Sequence, residues 1–206
     1  MYIWFKRIMD CIFSLIMIIV LSPLFSLIIL LIKLDSPGPI FFKQKRIGVN
    51  KKTFYIYKFR TMKINTPRDM PTHLLVKPEQ YITRVGAILR KTSLDEIPQL
   101  INIFLGQMSL IGPRPALWNQ TDLVQAREEY GCNNILPGLT GWAQINGRDE
   151  LTINEKTMLD KEYLDNIGIT MDIKCFIGTI TSVLKSDGVV EGKVNSVVSP
   201  KETKRL

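Results

Sequence analysis

Residues 11–32 read CIFSLIMIIVLSPLFSLIILLI, 22 positions without a charge, broken near the centre by Ser22-Pro23. A helix needs about 20 apolar residues to cross the hydrocarbon core of a bilayer, so the run is long enough. Its flanks argue for another path. Lys6 and Arg7 precede it, and Lys33, Lys43, Lys45 and Arg46 follow it. A single span normally carries its lysines and arginines on the cytoplasmic side alone. Pro23 lacks an N–H and its ring crowds the carbonyl one turn earlier, which bends a helix, and the Ser22 hydroxyl can satisfy a backbone group freed there. A helix that enters the membrane, bends at Ser22-Pro23 and returns to the same face accounts for all three features. A straight signal anchor with a tolerated proline is the alternative. On the re-entrant reading, Pro23→Ala is expected to straighten the helix. A cleaved signal peptide has a shorter apolar core and a small-residue cleavage site, neither of which is present.

Working outward, the 206-residue chain divides into a membrane helix (residues 1–34), a catalytic domain (35–186) and a peripheral or partly disordered tail (187–206). With 27 basic and 19 acidic residues the net charge is +8, which beside a membrane segment points to anionic lipid headgroups. Cys11, Cys132 and Cys175 are odd in number and form no CxxC or zinc spacing, as expected of a reduced, cytoplasmic domain. The lone His73 lies in a proline-rich loop, which disfavours a histidine-based triad or metal centre.

After the turn cluster Ser36-Pro37-Gly38-Pro39, two β-rich runs (40–49 and 53–61) joined by Asn50-Lys51-Lys52 predict a hairpin. Apolar spacing predicts helices over residues 79–90, 94–105, 115–130, 154–166 and 171–185. The fold class is α+β, mostly helical, with amphipathic helices at the membrane interface. The last helix and the tail offer a surface for a second copy, a homodimer.

Chemistry concentrates in Arg90-Lys91-Thr92-Ser93-Leu94-Asp95-Glu96-Ile97-Pro98-Gln99, with two adjacent carboxylates just after two cations. One reading is local: Ser93-x-x-Glu96 fits a capping box, though Pro98 disturbs it. The other is catalytic. A carboxylate can bind Mg²⁺ or attack phosphorus, and nearby cations offset its repulsion of a phosphate. Arg114 stands between Pro113 and Pro115, which limits the entropy lost when it clamps an anion. Lys58 and Arg60 add cations at the end of the hairpin. Residues 137–148 form a glycine-rich stretch carrying Trp142, Gln144, Asn146 and Arg148, able to hold a base or sugar or to serve as a turn. No GxxxxGK[ST] or GxGxxG loop appears, so ATP and NAD chemistry lack support.

In this order and spacing the motifs resemble the small monotopic phosphoglycosyl transferases, the catalytic core of the bacterial sugar transferase family. Ser22-Pro23, Ser36-Pro37-Gly38-Pro39, Lys58-Phe59-Arg60-Thr61-Met62, Ser93-Leu94-Asp95-Glu96-Ile97-Pro98-Gln99, Gly112-Pro113-Arg114-Pro115 and Pro137-Gly138-Leu139-Thr140-Gly141-Trp142-Ala143-Gln144 carry the resemblance. It implies transfer of a sugar 1-phosphate from a UDP-sugar to polyprenyl (undecaprenyl) phosphate with release of UMP, initiating glycoconjugate assembly. It also implies Mg²⁺, a bacterial inner-membrane location and a cytoplasmic catalytic face. Carried over residue by residue, Asp95 would be the nucleophile of a phosphosugar-enzyme intermediate, and Glu96 a metal ligand or base. The metal falls to Asp95 and Glu96 without a division between them. Arg90 and Arg114 would neutralise phosphates, with Lys58 or Arg60 in support. Gln144, Asn146 and Arg148 are weaker candidates for nucleotide or sugar contact. Two departures stand out: Gln107, where the family often has an acid, and Asn133-Asn134-Ile135-Leu136, where basic residues are common. Direct attack by polyprenyl phosphate, with the carboxylates only holding metal, is the closest rival. A membrane-tethered scaffold for nucleic acid is disfavoured, because Asp95-Glu96 would repel a phosphate backbone.

Overall fold

The computed structural model describes residues 1–66, 78–147 and 150–185. His73, Arg148 and the tail lie outside the described residues. The fold is α+β and mostly helical. Helix α1 (Tyr2–Val20) and helix α2 (Ser22–Asp35) meet at Leu21. No single described helix is long and apolar enough to cross a membrane, but the two together are by length and composition, with a 61° bend between them. Pro23 sits in the first turn of α2, where a missing N–H costs nothing. The Ser22 hydroxyl donates to the Ile19 carbonyl at 2.7 Å, satisfying one acceptor freed at the break.

Each arm of the bent pair is tied to the domain. On α1, residues that precede the apolar run turn inward. Lys6 pairs with Asp172 at 2.6 Å, Arg7 donates to the Ile103 and Phe104 carbonyls, and buried Asp10 accepts from the Ser109 hydroxyl and the Leu110 N–H. The opposite side of α1 exposes Ile3, Trp4, Ile8, Ile12, Ile16 and Ile19. On α2, Ile28 and Ile32 are buried against Phe59 and Leu89, and Phe25 meets the Phe59 ring edge-on at 5.3 Å.

Strands β1 (Phe41–Ile47) and β2 (Thr53–Phe59) form the expected antiparallel hairpin. Asn50 and Lys51 both take the left-handed conformation that a tight hairpin turn requires. The hairpin acquires a neighbour the sequence did not announce. Ile47 N–H donates to the Ala116 carbonyl and Arg46 bridges to Leu117. That extended pairing is why the helix expected from residue 115 begins later, as α5 (Thr121–Glu129). The helix expected over 79–90 is likewise shortened to α3 (Arg84–Lys91), capped by the Thr83 hydroxyl on the Gly86 N–H. Residues 81–83 instead pair with 61–63.

The helix expected over 94–105 divides at Pro98. A 3₁₀ turn (Leu94–Glu96) precedes α4 (Gln99–Phe104). Two short parallel strands follow, β3 (Ser109–Ile111) and β4 (Gly138–Thr140), with Ser109 opposite Gly138 and Ile111 opposite Thr140. Within the glycine-rich stretch, residues Trp142–Ile145 form α6. Helices α7 (Ile153–Asp165) and α8 (Ile169–Lys185) fall close to their expected bounds. Tyr163, Met171 and Cys175 pack with Ile111 in a core shared by α7, α8 and β3.

Candidate active site

Side chains alternate across a strand, so Ile56 and Lys58 of β2 point the same way. Ile56 enters the core with Leu100, Ile103 and Met108, which carries Lys58 to the turn before α4. Asn102, fully buried, fixes this approach. Its Oδ1 accepts from the Tyr57 N–H at 3.0 Å and its Nδ2 donates to the Tyr55 carbonyl at 2.8 Å, so α4 pairs with the free edge of β2.

Ser93 adopts φ 56°, ψ 15°. A left-handed backbone at a residue other than glycine is uncommon, and such strain gathers at functional sites. The chain then winds through the 3₁₀ turn and starts α4 at Pro98. Ser93 makes no side-chain cap, so the capping-box reading of Ser93-x-x-Glu96 does not hold. The same pattern at Thr152-x-x-Glu155 does form a capping box, with both reciprocal hydrogen bonds present. What Glu96 does instead is bind cations. Its Oε1 accepts from Lys58 Nζ at 2.7 Å and from Arg114 Nη2 at 2.8 Å. Burial alone would raise the Glu96 carboxyl. Arg114 and Lys58 overcome it by charge and hydrogen bonding, and hold the group well below the usual carboxylate range.

Asp95 has the opposite environment. It is 8% exposed, and among the described residues no side chain or backbone N–H hydrogen-bonds its carboxylate. Burial pushes its carboxyl up and the Glu96 charge adds to the rise, while Lys58, Arg90 and Arg114 pull it down without winning. Two adjacent carboxylates therefore differ. One is locked in an ion-paired triad, and the other is buried, unpaired and held at a cost, the state in which a carboxylate is most reactive once ionised.

The structure thus brings together Lys58, Asp95, Glu96, Arg90 and Arg114. Arg60 is placed elsewhere. Because β2 ends at Phe59, the next side chain leaves the strand's face. The Arg60 guanidinium donates to the Ser36 carbonyl (2.6 Å), the Ser36 hydroxyl (2.9 Å) and the Pro37 carbonyl (2.8 Å). It closes the turn after α2. Gly38, at φ 125°, has no room for a Cβ beside that guanidinium. Gln144 is buried, and both of its amide atoms lack a hydrogen-bond partner among the described residues. Asn146 is exposed and donates to the Trp142 carbonyl, a local cap. Gln107 accepts from Asn102 through its amide oxygen at 2.7 Å, a role an acid would fill equally well, so this departure is structural.

Among the described residues no group of three His, Cys, Asp or Glu side chains could hold a metal ion. Mg²⁺ often needs only one or two protein carboxylates, its remaining ligands being water and substrate phosphate oxygens. The unpaired Asp95 carboxylate fits that demand. Glu96 Oε1, already shared by two cations, fits it less well. Sequence reasoning missed Asp10, Asn102, Asp172 and the Arg127–Asp160 pair. Only the occurrence of acids on otherwise apolar helices hinted at the first and third.

The family model for bacterial sugar transferases matches residues 1–186. The chain is 38% identical over 184 residues to an uncharacterized sugar transferase, EpsL, of Bacillus subtilis (strain 168), covering 89% of each. It is 36% identical over 197 residues to the exopolysaccharide production protein ExoY of Sinorhizobium fredii, covering 89% of this chain and 87% of that one. It is 38% identical over 182 residues to the UDP-glucose:undecaprenyl-phosphate glucose-1-phosphate transferase of Escherichia coli (strain K12). That match covers 85% of this chain and 39% of the longer relative.

Proposed function

The chain belongs to the bacterial sugar transferase family, and from that premise we propose that it transfers a sugar 1-phosphate from a UDP-sugar to a polyprenyl phosphate at a membrane surface. The observation that carries the mechanism is the contrast between the two carboxylates. Asp95, buried and without a hydrogen bond among the described residues, is the nucleophile; Glu96, fixed by Lys58 and Arg114, is not free to attack. A carboxylate oxygen of Asp95 attacks the β-phosphorus, the one that bears the sugar. The bond from that phosphorus to the bridging oxygen breaks, and UMP leaves with the bridging oxygen and its electron pair. A phosphate oxygen of the polyprenyl phosphate then attacks the same phosphorus, and the acyl phosphate bond breaks to return Asp95. The product is a polyprenyl diphosphate sugar.

Arg114, Lys58 and Arg90 neutralise the diphosphate, and Arg114 can turn from Glu96 to phosphate because it is 37% exposed. Mg²⁺ held by Asp95, with Glu96 beside it, would supply further neutralisation of the departing phosphate. Gln144 has one donor group and one acceptor left for a nucleotide or sugar. The bent α1–α2 pair, its apolar side exposed, enters one leaflet of the bacterial inner membrane and returns, which keeps the site at headgroup depth on the cytoplasmic face. The test is intact-protein mass after incubation with a panel of UDP-sugars and Mg²⁺ but no lipid acceptor. A mass increase equal to one sugar phosphate, with matching UMP release, is expected and names the donor. UMP release only when polyprenyl phosphate is added, with no adduct, would mean direct transfer.

A further inference from the structure

We propose that Arg127 is a positioning residue for Arg114, acting through the Arg114 main chain; this rests on the phosphate-binding role given to Arg114 above. The turn 112–116 carries two prolines and so has few N–H groups with which to join a regular ladder. The four carbonyls from Pro113 to Ala116 are nevertheless all taken. Pro113 O accepts from the Gly138 N–H (2.9 Å), Arg114 O from Arg127 Nη1 (2.9 Å), Pro115 O from Arg46 Nη1 (3.0 Å) and Ala116 O from the Ile47 N–H (2.9 Å). The hold on Arg114 itself comes from the interior. Arg127 of α5 donates through Nε (2.8 Å) and Nη2 (2.5 Å) to Asp160 Oδ2 of α7, and its third nitrogen reaches the Arg114 carbonyl. The two side chains are 4% and 1% exposed, so Arg127 cannot itself meet a phosphate. A guanidinium fork can hold a carboxylate and a carbonyl at once with fixed angles. A lysine ammonium keeps the ion pair but not that geometry. The functional cation at the surface is therefore aimed by a buried one on the helix pair α5–α7.

The experiment is a double-mutant cycle of Arg127→Lys with Arg114→Ala in the full chain in nanodiscs. It reads kcat and KM with whichever UDP-sugar turns over, UDP binding by calorimetry, and thermal unfolding. Arg127→Lys is expected to unfold near the wild-type temperature, to lower kcat about tenfold or more through misaimed Arg114, and to weaken UDP binding. In the Arg114→Ala background the same change should remove less than about twofold further. Asp160→Asn, which frees Arg127 without altering volume, should give the same non-additive pattern. Full additivity, or wild-type kcat and UDP affinity in Arg127→Lys, overturns the proposal. So does failure of both Arg127→Lys and Asp160→Asn to fold, because the pair would then be holding the fold rather than Arg114. Wild-type turnover and UDP binding in Arg114→Ala alone would instead sink the role of Arg114.

Discussion

Asp95→Asn should abolish the phosphosugar adduct and at the same time stabilise the fold. The substitution is nearly isosteric and replaces a carboxylate that is 8% exposed and without a hydrogen bond among the described residues. Leaving a buried polar group unmatched costs about 1–3 kcal/mol, and more for a charge. Lys58, Arg90 and Arg114 return part of that, but the carboxyl stays above its ordinary range, so burial and the Glu96 charge outweigh them. A net gain of about 1 kcal/mol for the amide is the expectation, or about 2–4 °C in melting temperature for a chain of this size. The sign follows from linkage. A folded-state carboxyl that ionises later than the unfolded one destabilises the fold once the unfolded chain has lost its proton. The advantage of Asn should therefore grow as pH rises from the ordinary aspartate value through the raised folded value, and vanish below both. Thermal unfolding of both proteins across pH, alongside adduct mass, makes the measurement. A melting temperature several degrees below wild type at neutral pH would show Asp95 to be a structural ion-pair member. A persisting adduct would move the nucleophile elsewhere.

Glu96→Gln removes the like charge that raises Asp95 and frees Lys58 and Arg114 toward it. The acid limb of adduct formation should move to lower pH in a stopped-flow pH profile, and a limb that stays put or moves up contradicts the coupling. Asn102→Ala strands the Tyr57 N–H and the Tyr55 carbonyl, and should cost about 3 kcal/mol of stability. An unfolding midpoint within error of wild type would mean that α4 does not hold β2. Pro23→Ala, expected from the sequence alone to straighten the helix, should instead leave both ends of the α1–α2 pair on one face. Straightening it must pull buried Ile28 and Ile32 from Phe59 and Leu89, at about 1.5–3 kcal/mol each, or break the Asp10 contacts. Alanine over proline in a helix gains at most about 3 kcal/mol, and less in the first turn. Cysteine labelling at the two ends that finds them on opposite faces would show that the proline alone sets the path.

What the sequence made legible was whatever local pattern decides. The hairpin, helices α7 and α8, the break at Ser22-Pro23 and the order of the motifs are all encoded within short windows. What it concealed depends on contacts between distant segments. The stretch before α5 carries helical spacing, yet Ala116 and Leu117 pair with β1, and pairing overrides propensity. The parallel pair β3–β4 joins Ser109 to Gly138, and neither strand exceeds three residues, too short for alternation to register. Residues 11–32 carry no charge, and the tie of α1 to the domain is hidden from that window, because the charged residues that make it, Lys6, Arg7 and Asp10, precede it. Ser93-x-x-Glu96 matches a capping box in residue type, but the left-handed Ser93 makes no side-chain cap.

The harder distinction is among cations. Lys58 and Arg60 sit two apart, so an unbroken strand would place both at the carboxylates. One residue decides otherwise, because β2 stops at Phe59 and Arg60 turns to the Ser36 and Pro37 carbonyls. Arg46 and Arg127 serve carbonyls too, in the turn that carries Arg114. Guanidinium groups suit this work because they hold several acceptors at fixed angles and remain charged when buried. The same property makes them good phosphate ligands, so residue type cannot separate the two uses; exposure can. Arg127 and Arg60 are about as buried as core residues, whereas Arg114 keeps 37% of its side chain open and binds a carboxylate that a phosphate can replace. On the proposed function, part of the positive charge of this basic chain is therefore scaffold, and the cations expected to meet a diphosphate are those whose present partner is itself an exchangeable anion.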